Sequence, residues 1–423
     1  MRINKALFKL LSYLPKIISN PVFALVLLGV IIRFALIPFT LDEDFLSTLN
    51  RATFNTYFNG PISRSLGEFV ITGWIHLFRD FFSQLPGILQ PDLGTTLSIS
   101  QSDLTNPAYQ NAISSPMIFR YLTLLKIPYL VADLALAFVL YRNFRSKAVL
   151  FFWAINPFIL FPSFMYGRYE VFAVLAMVLS LVFLFRKKVG LSYLALALAI
   201  SVRPFFVIFI PFYLIYTYKN KKVLLTCFLA LVLYLLLNFS LDRSAVGVIS
   251  GNRFYEFFID KKFGGLNAGI SVFLLAYCLI AFQFYKEKIQ ERIDFNRLIF
   301  WLSLTTFSFF VFGRFHPPYL AWIAPVSFFL VSINKKVIIP LVLSFVFAAL
   351  SFEYDAIFAC RGNGLCLFDP LNFNFTHTLY SFGDQLSLLR WPGDSMLTVF
   401  ITLFASSLAT VIIIIKDTVY AKK

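Results

Sequence analysis

The chain has few charged residues, few histidines and few cysteines. Charged side chains make up 14% of its 423 residues, against about 25% in soluble domains, so a soluble globular protein is excluded. The three histidines and four cysteines do not have the spacing of a zinc site. The chain also lacks a Gly-rich phosphate-binding loop, which argues against a nucleotide-binding fold, and it contains no sequence repeat.

The chain is instead rich in long hydrophobic runs. Hydrophobic residues make up 59% of the chain, 54 of them phenylalanine, and the mean hydropathy is +0.78. Because a bilayer crossing needs about 20 apolar residues, we predict an all-α polytopic membrane protein, a single membrane domain over 1–423 with about twelve transmembrane helices. The predicted spans are 17–39, 119–141, 148–165, 170–185, 190–202, 204–218, 223–241, 268–285, 298–313, 319–333, 337–352 and 395–415.

The basic residues predict the orientation of these spans. With a cytoplasmic N-terminus, the inner segments carry 22 of the 37 basic residues and four of the 21 acidic ones, as the positive-inside rule requires. The net charge of +16 is therefore topological, and nucleic acid is not an expected partner. Both termini are expected in the cytoplasm, and the functional face is expected on the extracytoplasmic side of a cell membrane or an ER-type membrane.

Three long segments are predicted on the outer side. The first outer loop, 40–117, includes the amphipathic stretch 67–82, which is typical of a helix lying in the membrane surface. The outer loop 242–267 is expected to hold another surface helix. The outer loop 353–394 contains Cys360 and Cys366, for which a local disulfide and two free thiols both remain open.

The acidic triplet Asp42, Glu43 and Asp44 follows the first span at the head of the first outer loop. A carboxylate there can remove the proton of an acceptor hydroxyl, and two of them can bind a divalent cation. A solvated acidic turn that starts a helix is the alternative. We expect a functional role, because ionisable groups beside a span are usually functional.

Two cations and one carboxylate lie inside the predicted spans, well away from the span ends. Arg33, in the first span, needs a partner; it can reach the surface, or pair with a carboxylate or a lipid phosphate as part of the cavity. Lys126 is placed to contact a donor phosphate. Asp133 lies seven residues later on the same helix face and is expected to be a structural hydrogen-bonding group between helices.

Further candidates lie at the predicted outer ends of spans. Arg168 and Glu170 form either a surface ion pair or part of the cavity mouth. Arg203, before Pro204, interrupts the pair of spans at 190–218, and we expect it to bind phosphate at a half-helix end. A proline kink beside an arginine that reaches the surface is the alternative.

A second group of candidates precedes the span at 319–333. Arg314 and His316 offer donors to a phosphate, and Tyr319 can hydrogen-bond a sugar or a phosphate. Two prolines between them predict a non-helical approach to the span.

Several of these motifs follow the order found in the GT-C superfamily of polytopic glycosyltransferases. They are Lys126-Ile127-Pro128-Tyr129-Leu130-Val131-Ala132-Asp133, Asn156-Pro157, Tyr166-Gly167-Arg168-Tyr169-Glu170, Arg203-Pro204 and His316-Pro317-Pro318-Tyr319-Leu320-Ala321-Trp322. The chain resembles GPI-type mannosyltransferases and their prokaryotic relatives over about residues 33–325. It departs from their pattern at Glu170, where an aspartate is usual.

The resemblance implies a GT-C fold and an inverting transfer of a hexose such as mannose. The donor would be a polyprenyl-phosphate sugar, and the acceptor a lipid or glycan at the outer face. The superfamily's catalytic aspartate matches Asp42 in a D-E pattern, or Asp42 and Asp44 in a D-x-D pattern. No cofactor is needed, and a divalent metal is optional. A flippase or transporter for lipid-linked glycans, and an O-antigen-type ligase or polymerase, are the alternatives.

Overall fold

The computed structural model describes residues 20–40, 66–78, 118–218, 232, 272–290, 293–312, 317–352 and 393–420. Within these ranges the chain is helical and contains no strand, which confirms the all-α class. The loops 242–267 and 353–394, with Cys360 and Cys366, and most of 40–117 lie outside the described residues.

Thirteen α-helices are described, and short 3-10 or π segments extend several of them. They are α1 (Pro21–Leu36), α2 (Leu66–Leu77), α3 (Ile118–Phe144), α4 (Lys147–Ile155), α5 (Pro157–Ile159, continued by the π segment Leu160–Met165), α6 (Glu170–Phe185), α7 (Val189–Val202), α8 (Ile210–Thr217, preceded by the 3-10 segment Pro204–Phe209), α9 (Val272–Ile289), α10 (Phe295–Phe312), α11 (Ala324–Ile333, preceded by the 3-10 segment Pro317–Ile323), α12 (Ile338–Phe352, preceded by the 3-10 segment Lys335–Val337) and α13 (Gly393–Tyr420). Helices lie at every predicted span except 223–241, of which the structure describes only residue 232.

Several helices have the length and composition of membrane spans. Three stretches are long and apolar enough to cross a bilayer: Ile118–Phe144, Phe295–Phe312 and Thr402–Tyr420. The pair Lys147–Ile155 and Pro157–Met165, bent by 43°, makes a fourth if both halves cross as one span. The chain is thus a helical membrane protein, and the number of twelve crossings and their orientation stay predictions.

Large apolar side chains are exposed on many of these helices. Ile31 on α1 is 56% exposed, Phe138 on α3 62%, Leu279 on α9 65% and Ile339 on α12 70%. Such a surface suits a lipid environment, since monomeric soluble proteins rarely expose large contiguous apolar patches.

Two helix breaks have a proline as their cause. Asn156 ends α4 in an extended conformation, and its side chain caps the next segment by accepting from Phe158 N at 2.9 Å. Arg203 is extended between α7 and the segment that starts at Pro204. Proline has no N–H to continue a helix and disfavours the helical conformation in the residue before it. The predicted interruption of the pair at 190–218 is therefore confirmed.

The helix α2 packs one face against the bundle. Its residues Gly67, Ile71 and Ile75 are buried, and Trp74 Nε1 donates to Leu124 O on α3 at 3.0 Å. The helix predicted at 67–82 is thus present over Leu66–Leu77, and its position at a membrane surface stays a prediction.

The contact of α1 with α4 depends on a glycine. A Cβ atom at Gly29 would lie 2.4 Å from the Trp153 ring, which is fully buried. A side chain at this position therefore cannot be accommodated without moving the indole.

We expect Gly29→Ala to destabilise the protein by about 1–3 kcal/mol through overpacking against Trp153. Gly73→Ala on α2 is the matched control, because a Cβ there meets nothing within 4 Å and alanine favours a helix by up to about 1 kcal/mol. Thermal unfolding in detergent measures both. Equal unfolding temperatures for the two variants would contradict the close contact.

Candidate functional site

The first polar cluster is a buried ion pair between α1 and α3. Arg33 Nε donates to Asp133 Oδ2, and both side chains are fully buried. Trp153 Nε1 on α4 donates to the other carboxylate oxygen, Oδ1, at 3.1 Å. Asp133 therefore joins three helices, as expected for a structural hydrogen-bonding group.

The remaining donors of Arg33 are also engaged. Its Nη1 donates to Gly29 O at 2.9 Å and Ala154 O at 3.0 Å, and Nη2 donates to Trp153 O at 3.0 Å. The guanidinium lies 4.2 Å from the centre of the Trp153 ring. Of the partners predicted for Arg33, the structure shows the carboxylate. A contact between Arg33 and a substrate stays a prediction.

The second cluster surrounds the buried Lys126 on α3. Its Nζ donates to Thr40 O at 2.6 Å, Phe164 O at 2.8 Å and Ile37 O at 3.2 Å, and it lies 3.1 Å from Thr40 Oγ1. Thr40 Oγ1 in turn lies 3.0 Å from Phe164 O. The ammonium group thus ties the end of the α1 segment to the π segment after α5. Phosphate binding by Lys126 stays a prediction.

The two segments held by Lys126 lead directly to candidate site residues. Thr40 precedes Asp42 by two residues, a distance that the chain spans in at most about 7 Å. Phe164 precedes Arg168 by four residues, at most about 14 Å. The position of Arg168 relative to the π segment is fixed more tightly, because its backbone N donates to Pro162 O in that segment at 2.9 Å.

The third cluster is centred on Glu170, the first residue of α6. Arg203 approaches both oxygens of this carboxylate: Nε donates to Oε2 at 2.7 Å, and Nη2 lies 2.7 Å from Oε1. Arg168 Nε lies 3.7 Å from Oε1. Trp322 Nε1 donates to Oε2 at 3.2 Å. Sequence-distant segments therefore converge on one carboxylate.

This geometry excludes one alternative for Arg168 and Glu170, and phosphate binding by Arg203 stays a prediction. Glu170 is fully buried, while the two arginine side chains are each 13% exposed, so a simple surface ion pair is wrong. Arg203 also lies 4.1 Å above the Tyr169 ring, so it is held by a carboxylate and an aromatic face. Two guanidinium groups therefore contact the Glu170 carboxylate, and a second buried carboxylate, Glu68 on α2, accepts from the Tyr169 hydroxyl at 3.4 Å.

Stacked aromatic rings extend the cluster. The rings of Tyr319 and Trp322 stack at 4.3 Å with an interplanar angle of 11°, and Phe205 stacks on Trp322 at 4.4 Å and 18°. Trp322 thus links the predicted Tyr319 to Glu170. Its role was not predicted, although it ends the quoted motif that begins at His316.

The buried hydroxyl of Tyr129 is a further feature of this region, and it is not among the site residues predicted from the sequence. Tyr129 is fully buried, and its hydroxyl has no hydrogen-bond partner in the part of the chain that the structure describes. Its ring packs 5.7 Å from that of Phe172 in the first turn of α6, next to the third cluster. An unsatisfied buried hydroxyl is costly, and a substrate oxygen would satisfy it. The three- and four-residue steps from Lys126 to Tyr129 to Asp133 could have revealed this position.

The other predicted site residues lie outside the described residues. They are Asp42, Glu43, Asp44, Arg314 and His316. Among the residues that the structure describes, no group of three or more His, Cys, Asp or Glu side chains could hold a metal ion. The optional divalent cation stays a prediction.

We expect Asp133→Leu to cost about 3–5 kcal/mol, because it leaves the Arg33 guanidinium buried without its carboxylate. The double variant Arg33→Met with Asp133→Leu should recover part of this loss, since no unpaired charge remains. Equilibrium unfolding of the two single variants and the double variant measures the coupling. Additive losses would show that the pair is not an energetic unit.

Comparison of the chain with protein-family models, with curated proteins and with solved structures gives no match. The function is therefore argued from the site itself.

Proposed function

We propose that this chain is an inverting glycosyltransferase that moves a hexose, such as mannose, from a polyprenyl-phosphate carrier to a lipid or glycan acceptor at the extracytoplasmic face. One observation carries the proposal: Lys126 holds Thr40 and Phe164 together. The two segments that continue along the chain to Asp42 and to Arg168 therefore start from neighbouring residues that are fixed in place. A carboxylate base and a cationic cluster are the two parts that such a transfer needs.

The cationic cluster supplies electrostatic stabilisation of the leaving group. Arg203 and Arg168 are partly exposed, and both approach the Glu170 carboxylate. A lipid phosphate can approach their exposed edges, and guanidinium groups match phosphate oxygens by charge and by geometry. Arg314 and His316 are the further predicted phosphate ligands, while the buried Lys126 holds the two segments in place. Charge that develops on the departing phosphate is stabilised most effectively by donors already held in place.

The reaction needs one proton transfer and one displacement. Asp42 or Asp44 takes the proton of the acceptor hydroxyl. The acceptor oxygen forms a bond to the anomeric carbon on the face opposite the phosphate. The bond from the anomeric carbon to the phosphate oxygen breaks, and the phosphate leaves with the electron pair. The configuration at the anomeric carbon is thereby inverted.

Replacing Asp42 or Asp44 with Asn tests the base. We expect one of the two variants to lose about 100-fold or more in turnover and to retain donor binding, because the cationic cluster is unchanged. Purified protein in liposomes, with a radiolabelled polyprenyl-phosphate mannose and a membrane-lipid acceptor extract, gives both values. Asp417→Asn, an exposed carboxylate on α13, is the matched control and should leave turnover unchanged. Movement of intact donor across the bilayer without a new glycosidic bond would contradict the proposal and favour a transporter.

Arg203→Gln separates phosphate binding from base catalysis. It removes the cation that contacts both oxygens of Glu170, and we expect donor binding to weaken by about tenfold or more, the equivalent of one charge-assisted hydrogen bond. Asp42→Asn and Asp44→Asn should not show this loss. Unchanged donor affinity in Arg203→Gln would remove this arginine from the donor site.

A further inference from the structure

A cavity of about 410 Å³ lies at the other end of the helix bundle, away from Glu170. It is formed where α3, α6, α11 and α13 end and where α10 begins. Its wall comprises Phe144, Ser146, Phe185, Asp294, Phe295, Asn296, Arg297, Ile299, Phe329, Ser332, Ile333, Thr418 and Val419. The volume falls in the range of about 300–1,000 Å³ that is usual for small-molecule sites.

Four phenylalanine rings, with Ile299, Ile333 and Val419, form the apolar part of the cavity wall. Phe329 contacts Phe144 at 5.0 Å and Phe295 at 5.7 Å between ring centres, and Phe185 contacts Phe295 at 5.0 Å. A freely soluble anion gains nothing from such a surface. An amphiphile does, because it can bury hydrocarbon against the rings.

The polar part of the wall carries one acidic residue, Asp294, whose carboxylate interacts with the N-terminus of α10. Asp294 caps α10 by accepting from Arg297 N at 2.9 Å, and a carboxylate at a helix N-terminus is balanced by the helix dipole. The Arg297 guanidinium lies 4.6 Å from the centre of the Tyr420 ring. The rest of the polar wall consists of hydroxyl and amide groups.

Exposed basic residues flank the lining segments. Each of them lies within two positions of a lining residue along the chain and is exposed. They are Arg142, Arg145, Lys147, Arg186, Lys187, Lys335 and Lys416, and one exposed carboxylate, Asp417, lies beside the lining residue Thr418. The positive-inside pattern predicts that this end of the bundle lies at the cytoplasmic leaflet, where anionic phospholipids attract basic residues and basic pockets between helices bind anionic head groups.

Two of these basic residues occupy backbone positions that favour glycine. Arg145 has φ 48° and Lys187 has φ 60°, in the left-handed region that costs other residues about 1–2 kcal/mol. Helices commonly end on glycine in this conformation. The chain instead keeps a cation at the ends of both α3 and α6, beside Phe144 and Phe185 of the cavity wall.

We propose that this cavity binds the head group of an anionic phospholipid, with its phosphate at the basic edge and its first hydrocarbon groups on the phenylalanine rings. The site is separate from the Glu170 cluster. It does not depend on glycosyl transfer.

Glycine substitutions test the charge without straining the backbone. Arg145→Gly and Lys187→Gly remove a cation where glycine is conformationally preferred, so the fold is retained. We expect each to weaken the binding of phosphatidylglycerol about fivefold, as one basic residue near an anionic surface would. Binding is measured on the full-length protein in detergent, by native mass spectrometry and by the rise in unfolding temperature on lipid addition.

Lys286→Ala is the matched control, an exposed cation on α9 that, unlike Arg145 and Lys187, lies more than two positions along the chain from every lining residue. It should change phosphatidylglycerol binding by less than about twofold, because the attraction falls off within a Debye length. Ser332→Trp fills the cavity without a change of charge and should abolish the lipid-induced rise in unfolding temperature. Phosphatidylcholine and inorganic phosphate should stabilise the wild type much less than phosphatidylglycerol. Equal losses in Lys286→Ala and Arg145→Gly, or an undiminished response in a folded Ser332→Trp, would overturn the proposal.

Discussion

The two buried charged groups of α3 must be paired or hydrogen-bonded, and the rest of the structure depends on this constraint. Asp133 and Lys126 are both fully buried in an apolar bundle, where an unpaired charge is very costly. Asp133 is neutralised by Arg33 and hydrogen-bonded by Trp153, and Lys126 is surrounded by oxygen atoms from two segments. Helices α1, α4 and α5 therefore have one arrangement around α3 in which these groups are satisfied.

This constraint links the packing to the site. The oxygens that hold Lys126 come from residues just before the acidic triplet and just before Arg168, so helix packing determines where both segments leave the bundle. Glu170 then gathers Arg168, Arg203 and Trp322 at the start of α6. The residues on which the proposed site depends are thus held by packed helices, and such pre-organisation is what charge stabilisation in the proposed transfer would require.

Much of the local structure could be predicted from the residues. Hydrophobic runs predicted the helices, and Arg203-Pro204 predicted a break, because both properties are local. The partners of the polar residues could not be predicted in the same way. Arg33 and Asp133 are separated by 100 residues and Glu170 and Trp322 by 152, and nothing in the spacing of either pair brings them together. Arg168 and Glu170 are neighbours in sequence, yet Arg203, not Arg168, makes the closer contact with the carboxylate.

The sequence by itself determined that the protein is helical, that it belongs in a membrane, and which of its residues are too polar to be left without partners there. Hydropathy and proline act over a few residues, so these properties can be predicted from short segments of the sequence. Only the tertiary structure decided that Arg33 pairs with Asp133, that Lys126 binds backbone oxygens, and that Tyr129 is left without a hydrogen-bond partner among the described residues. Those outcomes depend on which helix surfaces meet, and packing between distant segments is set by the whole bundle.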